Sequence, residues 1–299
     1  MNASDSPLDP AVLSSIHDLE LVARVTVEGA LSGLHRSPFH GYSAEFHQYR
    51  HYRAGDDLKY VDWKLFARTD RVYTKQFRES TDVRVHLVLD VSASMAHRAA
   101  AGASKLEYGR LLAAALAHLF VSQGDAAGLI VHDDDIRDYV GARRGRGHLR
   151  RLLAALSHAS PGGRTATALA LRQAVDLMPG RGVVILISDL YDDEDGVEAG
   201  LRRASRMGHD VVVLHVFTPD EVDLVQRGPV EFEDAETGEV VLGGSSTAAD
   251  YAAAFSSFLE RWRNRCAAYN IDYCQARTDA PPDRLLRSYL LQRARRPRS

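Results

Sequence analysis

Three oxygen-bearing side chains, Asp90, Ser92 and Ser94, occupy alternate positions in the first half of the chain. They follow residues 83–89, a mostly apolar and β-branched run that predicts a buried parallel strand. Alternate side chains of an extended chain point the same way, so the carboxylate and the two hydroxyls can converge just past the strand. Hard oxygen donors suit Mg²⁺ or Mn²⁺ rather than a metal that prefers thiolates. The triplet therefore predicts a divalent cation site.

The same triplet also fits a plainer interpretation, a strand followed by a turn or a helix cap. Asp-x-Ser-x-Ser should occur by chance in roughly one chain in ten of this length, and both residue types favour turns and caps. Position favours the cation site, because ligands of open α/β sheets bind beyond the carboxyl ends of the strands. Two further oxygen donors also fall at such positions, Thr165 in a glycine-rich loop and Asp189 after a second buried strand.

Composition narrows the class of protein. Of the 299 residues 45% are hydrophobic, which is ample for a core. The net charge of −3, from 37 basic and 40 acidic side chains, argues against a dedicated nucleic-acid binder. Basic clusters at 143–151 and 293–298 are interpreted as solvated surface, and Cys266 as a core residue of a helix. With no long apolar run and no signal peptide, we expect a cytoplasmic protein without a membrane span.

The chain is expected to form an N-terminal unit and a larger α/β domain. Residues 1–80 predict one helix from about Asp9 to Leu34, followed by a small β-rich unit packed on the main domain. In residues 81–299 buried strands alternate with helices, which predicts a doubly wound, mostly parallel sheet. Residues 218–245 interrupt this alternation and predict a β-hairpin insertion.

Within the larger domain, Asp90, Thr165 and Asp189 all fall at positions that can reach one edge of the sheet. Strands are predicted at 83–90, 127–131, 136–140, 182–187, 210–217 and 271–276, with 136–140 as a hairpin partner of 127–131. Helices are predicted at 105–123, 147–159, 168–178, 196–207, 251–269 and 282–293.

Several longer motifs, in order along nearly the whole chain, resemble the signature of one bacterial family. That family is catalogued as domain of unknown function 58, and it carries a von Willebrand factor A-type domain. The resemblance implies a Rossmann-like fold of that type. The motifs are Gly33-Leu-His-Arg-Ser-Pro-Phe-His-Gly, Tyr52-Arg-Ala-Gly-Asp-Asp-Leu, Val61-Asp-Trp-Lys, Ala67-Arg-Thr-Asp, Gly208-His-Asp-Val and Glu236-Thr-Gly-Glu.

The resemblance also implies a metal-ion-dependent adhesion site built from five residues. In such sites the hydroxyls bind Mg²⁺ directly, the first aspartate directly or through water, and the later aspartate through water. A partner's Asp or Glu fills the open position, as suits an ion that takes six oxygens and keeps several waters. Thr165 is followed by Ala166 instead of the family's Asp or Asn, so Thr167 is a competing candidate. The implied ligands are Asp90, Ser92, Ser94, Thr165 and Asp189.

Members of the family are typically encoded beside MoxR-type AAA+ ATPases, which implies an adaptor or chaperone-like partner of such an ATPase. We therefore expect a non-enzymatic module that binds a partner protein through Mg²⁺, with Mn²⁺ as a substitute. A metal-dependent hydrolase or phosphotransferase is the second hypothesis, although such sites generally have more carboxylates, often two metals, and a base or a lysine. A metal-free scaffold is the third. Trp63 and Arg68 are expected to lock the β-rich unit onto the sheet instead of forming a binding surface.

Overall fold

The computed structural model describes residues 8–16, 18–32, 43–52, 61–69, 71–80, 83–100, 102–178, 180–222, 230–233, 240–243 and 247–295. The α-helices within them are α1 (Pro10–Ser15), α2 (Leu19–Leu31), α3 (Trp63–Thr69), α4 (Lys105–Ser122), α5 (Arg146–His158), α6 (Thr167–Asp176), α7 (Glu194–Arg206), α8 (Pro219–Val222), α9 (Thr247–Ala268) and α10 (Pro282–Arg295). The strands are β1 (Ser43–His51), β2 (Tyr73–Ser80), β3 (Arg84–Asp90), β4 (Ala126–His132), β5 (Ile136–Arg143), β6 (Val183–Ser188), β7 (Asp210–Phe217), β8 (Val230–Glu233), β9 (Val240–Gly243) and β10 (Asp272–Arg277).

A six-stranded sheet with the order β10-β7-β6-β3-β4-β5 forms the centre of the molecule. Every neighbouring pair is parallel except β4–β5, the predicted hairpin pair. If these six strands are numbered 1 to 6 in chain order, starting at β3, and read from the β5 edge, their order is 3-2-1-4-5-6. This is the strand order of a doubly wound fold. The predicted doubly wound, mostly parallel α/β fold is confirmed.

The central strands are apolar on both sides because helices cover both faces of the sheet. Leu87 and Leu89 of β3 belong to one buried cluster together with Leu112 of α4. Val88, which points the other way, belongs to a second cluster with the fully buried Trp262 of α9. The mostly apolar run of β3, which predicted a buried strand, is thus explained by burial on both faces of the sheet.

The N-terminal helical segment is two helices, so the prediction of one helix over residues 9–34 is wrong. The interruption falls between α1 and α2. The side chain of Asp18 accepts a hydrogen bond from the backbone N–H of Leu21 at 3.0 Å, which caps the start of α2. Asp favours this capping position, so it starts a new helix there.

In the small unit, β1 and β2 form an antiparallel pair with an irregularity between Phe46 and Gln48. Helix α3 follows Asp62, whose carboxylate accepts a hydrogen bond from the backbone N–H of Leu65 at 3.0 Å. The side chain of Trp63 is 59% exposed. Such exposure does not fit an anchor between two units, so the expected locking role is wrong for Trp63. The motif residues 33–41, 53–58 and 236–239 lie outside the described residues.

The region of the predicted insertion contains β8 and β9, which pair antiparallel from Val230↔Gly243 to Glu233↔Val240. No helix in the described part of the chain is long and apolar enough to cross a membrane. Cys266 in α9 and Cys274 in β10 are buried and not joined in a disulfide, so the core assignment of Cys266 is confirmed.

Two buried histidines make the stability of this fold depend on pH. Burial, together with the charges of His209 and Arg84, lowers the pKa of His86 to about 4, and burial lowers the pKa of His215 to about 3. In the unfolded chain a histidine takes up its proton near pH 6.5. The unfolded state therefore binds more protons below about pH 6.5, and the free energy of unfolding falls as pH decreases towards about 4.

Between pH 7 and pH 5 the free energy of unfolding of the wild type should fall by about 2 kcal/mol more than that of His86→Leu. The reason is that the His86 ring becomes charged in this pH range only in the unfolded wild-type chain. Urea denaturation at the two pH values measures this loss. His158, exposed at the end of α5, offers the control: His158→Leu keeps both buried rings and should show the full loss. The same fall in the free energy of unfolding in all three proteins would contradict the lowered pKa of His86.

Candidate functional site

The site lies where the strand order of the sheet reverses, between β3 and its parallel neighbour β6. Their register pairs Leu89 with Ile187, which brings the next residues, Asp90 and Ser188, together at the carboxyl edge. A crevice outside the carboxyl ends of the strands forms at such a reversal, and ligands of doubly wound folds bind there. The predicted position of Asp90 at the end of a buried strand is therefore confirmed. It lies at the reversal of strand order, where ligands of doubly wound folds bind.

Asp90 is fully buried and held by two hydrogen bonds. Its Oδ1 accepts from the backbone N–H of Ser92 at 2.8 Å, and its Oδ2 accepts from the hydroxyl of Ser188 at 2.7 Å. Burial raises the pKa of Asp90, and the nearby charge of Asp189 acts in the same direction, while His132 and the two hydrogen bonds oppose it. A carboxylate in this environment gains from any cation placed beside it.

Ser92 and Ser94 present neighbouring hydroxyls next to Asp90. The chain turns into a 3-10 helix at Ala93–Ala96, and this turn places the two Oγ atoms 3.1 Å apart, in a hydrogen bond with each other. Both residues are buried. Adjacent ligands of an octahedral Mg²⁺, each at about 2.1 Å from the ion, lie about 3.0 Å apart. The hydroxyl pair thus has the separation that two neighbouring positions around Mg²⁺ require.

The loop that carries Thr165 is hydrogen-bonded to the chain around the two serines. The backbone N–H of Gly162 donates to the carbonyl of Val91 at 2.9 Å, and that of Ala93 donates to the carbonyl of Gly163 at 3.1 Å. Gly163 has φ +69°, and a Cβ there would lie 2.6 Å from the Oδ2 of Asp133. Only glycine meets both conditions without strain. Thr165 itself is half-buried in this docked loop.

Thr167 remains a competing candidate for the loop ligand. It begins α6 and is fully buried, and its backbone N–H donates to the Oδ2 of Asp192 at 2.8 Å. Its hydroxyl has no hydrogen-bond partner within the part of the chain that the structure describes. A buried hydroxyl of this kind is costly unless a ligand or water satisfies it. Thr165 and Thr167 therefore both remain candidates for the loop ligand.

Asp189 lies at the same edge but is already paired with a cation that sequence reasoning missed. The Nζ of Lys105 donates to Asp189 Oδ2 at 2.6 Å and to Glu221 Oε1 at 2.9 Å. The side chains of Lys105 and Asp189 are each 1% exposed. The Nζ also lies 4.7 Å from the centroid of the Tyr191 ring, whose hydroxyl donates to Glu221 at 3.2 Å. One ammonium thus joins two carboxylates and an aromatic face.

Lys105 remains charged in this network. Burial by itself would lower its pKa, but the carboxylates of Asp189 and Glu221 outweigh burial, so the pKa of Lys105 is raised. The one sequence signal for this residue is its place after Ser104, where Ser104 and Glu107 form a capping box. Lys105 is therefore the first residue of α4, a position where the helix dipole disfavours a positive charge.

The residues of the site fit a hard divalent cation. Asp90 supplies a carboxylate, the serine pair supplies two hydroxyls at suitable separation, and an unsatisfied buried threonine hydroxyl lies in the neighbouring segment. In the described residues no three His, Cys, Asp or Glu side chains are grouped so that they could hold a metal. Any metal bound here would depend mainly on neutral hydroxyls.

Comparison with known proteins places the chain in a family. The family described as "Protein of unknown function DUF58" matches residues 48–257. The chain belongs to this family. An uncharacterized protein of Mycobacterium tuberculosis is 29% identical to this DUF58 chain over 235 residues, which cover 78% of this chain and 73% of the relative. An uncharacterized protein of Mycobacterium bovis matches equally well.

Solved structures similar to this DUF58 protein have low identities and TM-scores, and the likeness carries no conclusion about function. An aerotolerance-related membrane protein from Bacteroides fragilis has a TM-score of 0.47 at 21% identity, covering 71% of this chain and 98% of that one. The conserved hypothetical protein BatB from Bacteroides thetaiotaomicron has 0.46 at 18%, covering 72% and 100%. The SpRpn10 VWA domain has 0.37 at 12%, covering 70% and 94%.

We expect Ser188→Ala to lower the free energy of unfolding by about 2 kcal/mol, because it removes a buried hydrogen bond to the Asp90 carboxyl group. Urea denaturation measures the change. Ser157→Ala is the matched control, since its hydroxyl donates to a helix carbonyl, that of Leu153, on an exposed position. That control should change stability by no more than about 0.5 kcal/mol. Equal losses in both variants would contradict a special role for the Ser188 contact.

Proposed function

We propose that this DUF58 protein is a non-enzymatic protein–protein interaction module that holds an Asp or Glu of a partner through Mg²⁺ at the carboxyl edge of its sheet. The observation that carries the proposal is the pair of buried hydroxyls of Ser92 and Ser94, 3.1 Å apart beside Asp90. This pair lies at the reversal of strand order, where the fold offers a ligand crevice.

The proposed role of each residue follows from the chemistry of its side chain. Ser92 and Ser94 would hold the ion, Asp90 would bind it directly or through water, and either Thr165 or Thr167 would complete the protein's share. The ion would supply a Lewis-acidic position for a carboxylate from outside. Neutral hydroxyls leave much of the ion's charge uncompensated, and this is the reason to expect an acidic ligand from the partner.

The acidic groups of this site support binding rather than turnover. Asp189, the second aspartate, is committed to a buried ion pair with Lys105. Metal-dependent hydrolases surround their ions with several carboxylates and place a base near the reacting water. The described residues contain no such carboxylate group.

The family resemblance supports a MoxR-type AAA+ ATPase, or a client of that ATPase, as the partner, and we propose that the two proteins meet in the cytoplasm. An acidic side chain on a flexible segment of either protein has the chemistry that the site would recognise. A pull-down of the ATPase with this protein, performed with Mg²⁺ and with chelator, tests the partner separately from the metal. Equal recovery with chelator would contradict a metal-dependent contact.

We expect the purified protein to bind one Mg²⁺ or Mn²⁺ ion in a calorimetric titration, and Asp90→Asn to abolish this binding. Asp90→Asn keeps the shape of the side chain while it removes the charge that attracts the ion. The matched control is Asp138→Asn, an exposed aspartate of β5, which should bind like the wild type. Failure of the wild-type protein to bind, or equal binding by Asp90→Asn, would overturn the metal-dependent function.

The same titration distinguishes the two threonines, because valine keeps the shape of threonine but removes the oxygen. We expect only one of Thr165→Val and Thr167→Val to weaken binding, by about tenfold, as the loss of one ligand oxygen implies. Unchanged binding in both variants would remove this loop from the ligand set.

A further inference from the structure

The buried ammonium of Lys105 pairs with Asp189, the residue directly after Ser188, whose hydroxyl donates to Asp90 of the proposed cation site. It is 2.6 Å from Asp189 Oδ2 and 1% exposed, so bulk water does little to screen its charge. Its position is fixed by several contacts at once: the two carboxylates and the ring of Tyr191. Lys105 is therefore a permanent positive charge at the edge where a divalent cation would bind.

Glu221 holds this ammonium in place from the other side. Its Oε1 accepts from Lys105 Nζ, and its Oε2 accepts from the backbone N–H of Thr218 at 2.7 Å and from the Thr218 hydroxyl at 3.0 Å. Glu221, in α8, is thereby fixed close to the end of β7 and anchors Lys105 against Asp189. The charge of Asp189 raises the pKa of Asp90, so the residue that Lys105 pairs with is close enough to act on the proposed cation site.

We infer that Lys105 is a specificity-determining residue of the cation site: its ammonium holds Asp189 in an ion pair, offsets part of the negative charge there and weakens the binding of a divalent cation until an acidic partner supplies more negative charge. This inference rests on the proposed function. With Asp189 held in this ion pair, Asp90 is the carboxylate left without a lysine partner to compensate the ion. A carboxylate from the partner then adds more to the binding of the ion than it would at a site with two free aspartates. Metal binding and partner binding are thereby coupled.

The inference predicts a gain of binding, which damage to the fold would not produce. We expect Lys105→Gln to bind Mn²⁺ about tenfold more tightly than the wild type, equivalent to about 1.4 kcal/mol, because a nearby positive charge is removed. Calorimetric titration with MnCl₂ measures the change. Arg98→Gln is the matched control: Arg98 is a half-exposed cation that pairs with Glu107 at 2.6 Å, and its removal should leave Mn²⁺ affinity unchanged.

A second pair of variants covers the case in which Lys105→Gln does not fold, since that change leaves two buried carboxylates without their cation. Glu221→Gln and Lys105→Gln/Glu221→Gln differ only at Lys105, and the double variant leaves one carboxylate unpaired instead of two. We expect the double variant to bind Mn²⁺ about tenfold more tightly than Glu221→Gln. Equal or weaker binding by the variants that lack Lys105 would overturn the inference.

The outcomes separate this inference from the proposed function. If the wild type binds Mn²⁺ and removal of Lys105 changes nothing, the metal site stands and the role of Lys105 is overturned. If the wild type does not bind but Lys105→Gln does, the role of Lys105 is supported while metal binding by the unmodified protein is overturned. If neither the wild type nor Lys105→Gln binds Mn²⁺, both the metal-dependent function and the role of Lys105 are overturned.

Discussion

The parallel pairing of β3 with β6 is the constraint on which the candidate site depends. The two strands are far apart in the chain, and only their register brings Asp90 next to Ser188 and Asp189. The pairing is stabilised by apolar side chains buried on both faces of the sheet, against α4 on one side and α9 on the other. Polar side chains can then concentrate at the carboxyl edge, because the fold's stability comes from the apolar strands below it.

The site is an exception to the apolar interior. Asp90, Asp189 and Lys105 are all nearly inaccessible to water, and Glu221 is almost as buried. A buried ion pair seldom adds stability over an apolar replacement, although removing one partner is costly. A group of buried charges at a strand reversal is therefore better explained by function than by stability. In this protein Lys105 lowers the cost of the arrangement, since its ammonium hydrogen-bonds to both Asp189 and Glu221 and offsets one of their two negative charges.

Local backbone geometry also departs from ordinary preferences around the site. Leu190, directly after Asp189, has φ +59° although it carries a branched side chain, a conformation that costs energy for any residue but glycine. Its backbone N–H donates to the Ser188 hydroxyl at 2.9 Å, the same hydroxyl that donates to Asp90. Strain of this kind persists where surrounding contacts fix the backbone, and it concentrates at functional sites.

Local patterns of the sequence determined the elements and part of the site. The mostly apolar, β-branched run of β3 and the spacing of Asp90, Ser92 and Ser94 are short-range features, so the strand and the convergence of its polar end could be predicted. The break before α2 was missed although Asp18 is a suitable cap, because the apolar helical pattern continues across it. The exposure of Trp63 was missed because an aromatic side chain in a polar context gives no indication of its neighbours.

Only the tertiary structure decided what surrounds Asp189. Lys105 is 84 positions away in sequence and Glu221 is 32 positions away, and nothing in the local pattern marks the lysine as buried. A lysine is almost always at the surface unless partners are brought to it. Asp189 follows β6 and Glu221 lies in α8, which follows β7, and these segments meet α4 only after the sheet has formed. The sequence by itself determined the hard oxygen donors at the end of β3, whereas the fold decided that a fixed positive charge lies beside them.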